Sequence, residues 1–168
     1  LAALVRIGGI SAEPPPNPTL VRSAEAVVAL MSRAGLHGAR VLELEGAHPY
    51  AYAEWLGAPG APTLLLYGHH DVQPVGREAK WVTPPFEPSI RDGRMYGRGA
   101  VDMKGGIAAW VAAVSQILAE GEPEGSLSFL ITGDEEGPAL HGTKRVVQAL
   151  MAEGEVIDAC VVGEPSSQ

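Results

Sequence analysis

The chain has 168 residues, one ordinary domain's length, and is 46% hydrophobic; a globular chain of that size buries roughly 70% of its unfolded surface. A net charge of −8 argues against nucleic acid or an anionic membrane as the main partner, and no run approaches the ~20 apolar residues of a membrane span. A single cysteine, Cys160, excludes an internal disulfide and suits a reducing, cytoplasmic compartment; in the apolar run 157–162 it reads as a buried, inert thiol.

Residues 1–10 read as the end of a helix, and the proline cluster at 13–18 cannot continue it, because proline fixes φ and lacks the donor. Thr19 is the expected N-cap of an amphipathic helix to about residue 34, closed by Gly35. Segments 41–45 and 50–56 alternate as two strands at a sheet edge. The continuous apolar run 62–68 predicts a central strand covered on both faces. Residues 82–88 form a proline-rich loop, and Asp92-Gly93 marks a hairpin between 88–90 and 94–96. A helix rich in alanine and valine over 104–119, with Gly121 behind it, should pack on the sheet. Residues 126–132 predict another core strand, 143–153 a helix and 156–162 a further strand. This alternation predicts an α/β fold with a mostly parallel central sheet and helices on both faces. In such sheets the ligand crevice lies outside the carboxyl ends of the strands.

Histidine and acidic residues cluster at those ends. They sit in Gly68-His69-His70-Asp71, in Gly97-Arg98-Gly99-Ala100-Val101-Asp102-Met103-Lys104-Gly105, in Gly133-Asp134-Glu135-Glu136-Gly137 and in Gly163-Glu164-Pro165. Charges directly after apolar runs are costly to bury unless paired or bound to metal. His69 can offer one ring nitrogen to a cation while Asp71 takes the other ring N–H; equally, His69 could be a satisfied core histidine and Asp71 a turn cap. His70 should point the opposite way and carries no ligand role. Asp102 reads alone as a helix N-cap, although a carboxylate can also bridge two cations. The glycines around it fit neither a P-loop nor a dinucleotide fingerprint, since no Gly-Lys-Ser/Thr follows and Asp102 stands where a third glycine belongs. Glu135 and Glu136 repel one another unless a cation neutralises them. One can ligate while the other faces substrate, or both can belong to a solvated acidic loop. Glu164 could be a plain loop residue, and His141 a surface or helix-entry residue. His37 and His48 lie in polar loops without signal, and no Gly-x-Ser-x-Gly elbow occurs.

Together with Asp71-Val72-Gln73-Pro74 and residues 81–86, these motifs resemble the co-catalytic zinc metallopeptidase and deacylase family in type, order and spacing. That family includes desuccinylases, deacetylases, carboxypeptidases and carnosinase-like dipeptidases. The run 131–139 followed by Gly142-Thr143 is most similar to the desuccinylase branch, whereas Asp71-Val72-Gln73-Pro74 and 86–94 are more similar to the dipeptidases. The resemblance implies two zinc ions, with cobalt or manganese as alternative metals. His69 and Glu164 would hold one, Glu136 the other, and Asp102 would bridge them. Asp71 would orient His69, Glu135 would be the general base, and the Asp102–Met103 peptide would be cis. It implies hydrolysis of an amide in a small N-acyl amino acid or short peptide, with a non-catalytic metal-binding relative as the alternative. Residues 1–168 would be the N-terminal part of the catalytic domain, without the last metal ligand and without the inserted domain through which the full protein forms a homodimer.

Overall fold

Asn17, not Thr19, starts the first long helix. Its Oδ1 accepts from the backbone N–H of Thr19 at 3.0 Å and of Leu20 at 3.3 Å. Proline at the first helical position has no N–H to lose and its φ is already helical, so Pro18 draws the start two residues ahead of the expected cap. The computed structural model describes residues 1–140 and 142–166, so His141 lies outside the described residues. In chain order the elements are α1 (Ala2–Ile7), α2 (Pro18–Arg33), β1 (His37–Leu42), β2 (Tyr50–Trp55) and β3 (Thr63–His69). Then come β4 (Ser89–Arg91), β5 (Arg94–Tyr96), α3 (Lys104–Glu120), β6 (Ser126–Thr132), α4 (Thr143–Ala152) and β7 (Ala159–Val162).

The main sheet runs β1-β2-β6-β3-β7. β3 pairs in parallel with β6 and β7, while β2 runs antiparallel to β1 and β6. Four strands therefore share one direction and only β2 is reversed. Side chains alternate across it, as the pleat requires. Ala51, Ala53, Trp55, Leu66, Phe129 and Ile131 meet Val27, Met31, Ile107 and Val111 from α2 and α3. Tyr50, Tyr52, Leu65 and Leu130 meet Val146 and Leu150 of α4 on the other face. Helices thus cover both faces. Each fully buried Leu, Ile, Val or Phe contributes roughly 1.5–3 kcal/mol.

Two further expectations change. β1 is an edge strand, but β2 lies between β1 and β6 with all but Glu54 buried, because its two faces are claimed by helices from opposite sides. β7 begins at Ala159 and all four of its residues are exposed, Cys160 among them. Among the described residues β7 has a strand on one side only, so the apolar run around Cys160 forms an open edge and the thiol is not buried.

Candidate metal centre

β3 ends on His69 and His70 follows directly, and the extended backbone sends the two rings to opposite sides. His70 is fully buried, and its Nε2–H donates to the Pro49 carbonyl at 2.9 Å. Burial lowers its pKa to about 4, so it is neutral near pH 7. His69, also fully buried, points to the crevice. Its Nδ1–H donates to the Asp71 backbone carbonyl at 3.1 Å, with the Asp71 carboxylate Oδ1 at 3.4 Å. Asp71 thus holds the ring through its main chain as well as its side chain, and Nε2 is directed outward.

Around His69 Nε2 stand Asp102 Oδ1 at 3.1 Å, Glu164 Oε1 at 3.5 Å and Glu135 Oε2 at 3.9 Å. Ligand atoms of His69, Asp102 and Glu136 lie within 4.8 Å of one another, as do those of His69, Glu135 and Glu164. Glu135 and Glu136 follow β6, and Glu164 follows β7, so three parallel strands supply their carboxyl ends. Asp102 arrives differently, from a tight turn after β5. Gly105 is required there because a Cβ would stand 2.4 Å from the Ala100 carbonyl oxygen. Asp102 does not cap α3: the N-cap residue is Met103, with no side-chain cap bond. The Asp102–Met103 peptide is cis.

The Asp71 carboxylate serves more than the imidazole. Its Oδ2 accepts from Ser11 Oγ at 2.5 Å and from the Glu136 N–H at 2.9 Å, and its Oδ1 accepts from the Glu135 N–H at 3.4 Å. Burial raises the Asp71 pKa, but hydrogen bonds from His69 and Ser11 bring it below the usual carboxylate range. Gln73 Nε2–H₂ donates at 2.8 Å to both the carboxylate and the carbonyl of Glu136. Burial, which would lower the His69 pKa, is overcome by the carboxylates of Asp71, Glu164 and Glu135, which raise it to about 9. Burial and neighbouring carboxylates raise Glu135 and Glu164 despite His69.

One imidazole and four carboxylates gathered this closely fit a divalent cation, with nitrogen and oxygen donors of the kind zinc accepts. Sequence reading missed Ser11, Gln73 and Lys104. The Lys104 ammonium is wholly buried and donates to the carbonyls of Leu4, at 3.0 Å, and Gly8. Only its place inside the motif 97–105 could have signalled it. His48, expected in a polar loop, is 4% exposed.

A parallel-stranded α/β sandwich that gathers one imidazole and several carboxylates at its strand ends has the donor set of a metal centre. Residues 65–168 match peptidase family M20/M25/M40, and the chain belongs to that family. Over 106 residues it is 65% identical to the succinyl-diaminopimelate desuccinylase of Caulobacter sp. (strain K31), covering 63% of this chain and 27% of that protein. The chain therefore spans about a quarter of this curated relative's length. Among solved structures, an M20 family metallo-carboxypeptidase from Sulfolobus solfataricus superposes with a TM-score of 0.85 at 26% identity, covering 98% of this chain and 36% of the other. Human carnosine dipeptidase 1 superposes at 0.82 with 28% identity, over 99% and 38% of the two chains.

Proposed function

We propose that these residues form the N-terminal part of the catalytic domain of a zinc-dependent amidohydrolase acting on a small N-acyl amino acid. The observation that carries the reading is that His69 shares two groups of ligand atoms, one with Asp102 and Glu136 and one with Glu135 and Glu164, each within 4.8 Å. His69 and Glu164 would hold one zinc, Glu136 the other, and Asp102 would bridge them. When bound, the ions would supply Lewis acidity to the amide carbonyl and would lower the pKa of the attacking water.

The chain's own groups supply the rest. Glu135 is the general base: its raised pKa suits it to take the attacking water's proton and return it to the leaving amine. Asp71 orients His69 and, through the N–H groups of Glu135 and Glu136, sets the loop that carries base and ligand together. Identity of 65% to a desuccinylase supports an N-acyl substrate. Resemblance to carnosine dipeptidase 1 at 28% keeps a dipeptide as the second reading. The lone thiol suits the cytoplasm, and we assign homodimerisation to a domain outside these residues.

The test is hydrolysis of a panel of N-succinyl amino acids, N-acetyl amino acids and dipeptides by the zinc-loaded full-length protein, with Glu135→Ala beside it. Turnover of N-succinyl substrates, lost in the variant while zinc is retained, is expected. A variant that turns over normally removes Glu135 from its role. Zinc binding without hydrolysis of any substrate would mark a non-catalytic relative.

A further inference from the structure

Ser11 lies outside the segment 65–168 that matches the family, 60 positions from the residue it touches. It is 1% exposed. Its Oγ–H donates to Asp71 Oδ2 at 2.5 Å, a charge-assisted bond of the shorter, stronger kind. A carboxylate turns easily about χ2, which is a broad two-fold torsion. Here three donors stop it: Ser11 Oγ–H and the Glu136 N–H on Oδ2, and the Glu135 N–H on Oδ1. So fixed, Oδ1 stands 3.4 Å from His69 Nδ1.

Ser11 is itself held in place. The Val72 N–H donates to the Gly9 carbonyl at 2.9 Å, and Ile10 bridges Val72 in parallel. Lys104 grips the carbonyls of Leu4 and Gly8 just upstream. Gly137 leaves room on the other side, since a Cβ there would stand 3.1 Å from Ser11 Oγ and 3.0 Å from its carbonyl oxygen.

We propose that Ser11 is a positioning residue for metal binding, locking the Asp71 carboxylate so that it holds His69 with Nε2 aimed at the cation. This rests on the reading of His69 as a ligand. Partners of metal-bound histidines are worth about 10–100-fold in affinity, and Ser11 acts one step further out, at the lower end of that range.

The test measures zinc affinity by chelator competition for the wild-type protein, Ser11→Ala, Asp71→Ala and the double variant. The His69 Nδ1–H resonance is followed in the zinc-loaded forms. Ser11→Ala should weaken zinc binding about tenfold, move that resonance upfield, and add little in the Asp71→Ala background. Affinity equal to wild type, full multiplication of the two losses, or an unmoved resonance overturns the proposal. If Ser11→Ala does not melt cooperatively, Ser11→Cys, similar in size but a weak donor, is held to the same outcomes. A wild-type protein that binds no zinc sinks the metal reading and this proposal with it. Tight wild-type binding left unchanged by the substitutions sinks this proposal alone.

Discussion

Replacing Lys104 by methionine should change the pH dependence of stability more than stability itself. Burial lowers the Lys104 pKa from 10.5 to about 8, a difference of about 2.5 units at 1.36 kcal/mol each, or about 3 kcal/mol. Because the folded pKa lies below the unfolded one, this cost is fully present below pH 8. It is relieved as pH rises from 8 to 10.5, where the unfolded chain still binds the proton. Against it stand the hydrogen bonds to the Leu4 and Gly8 carbonyls, about 1.5–3 kcal/mol each from a charged donor. Near pH 7, Lys104→Met therefore loses those bonds but escapes the desolvation cost, a net loss of no more than about 3 kcal/mol. Urea unfolding at half-unit intervals from pH 7 to 10.5 gives the test. The gap between wild type and variant should widen in favour of wild type by about 3 kcal/mol. Parallel curves would refute the account of Lys104 as a buried, carbonyl-bound cation.

His70, neutral in the fold at a pKa of about 4 against 6.5 unfolded, contributes stability above pH 6.5 that is lost as pH falls towards 4. The wild-type advantage over His70→Gln in urea should shrink by about 3 kcal/mol across that range, and a constant gap would contradict it. Metal-free His69, raised to about 9, must shed a proton to ligate. Zinc affinity by chelator competition should then rise about tenfold per pH unit up to pH 9; a plateau from pH 6.5 would show an unperturbed imidazole. Gly133→Ala would place a Cβ 2.4 Å from the Pro49 carbonyl oxygen that His70 uses. It should cost about 1–3 kcal/mol in urea unfolding, and an unchanged midpoint would show that the β6 exit gives way freely.

What was legible in the sequence was local. The apolar runs of β3 and β6 and the charged residues after them foretold both the strands and the placement of His69, Glu135 and Glu136 at or just past their carboxyl ends, because the signal lies within the same few residues. The Asp92-Gly93 hairpin was legible for the same reason, since turn chemistry is local. Pro18 misled only by hiding the cap at Asn17. What escaped depends on contacts far apart in the chain. Ser11 meets Asp71 across 60 positions, and Lys104 meets Leu4 across 100. Neither residue type announces burial. Cys160 was misjudged because an apolar run cannot tell a covered strand from one flanked on one side only, as β7 is among the described residues, and β2 because alternation says nothing of how many strands flank it. Asp102 needed the whole family pattern, since taken alone it reads as a cap.

The most direct test is anomalous diffraction at the zinc edge from crystals of the zinc-loaded protein. Two peaks about 3.5–4 Å apart are expected, with His69 Nε2 and Glu164 on one, Glu136 on the other and Asp102 between them, each ligand at about 2.0–2.2 Å. Zinc bound elsewhere, or a strand-end cluster that stays without metal at saturating zinc, would contradict the account.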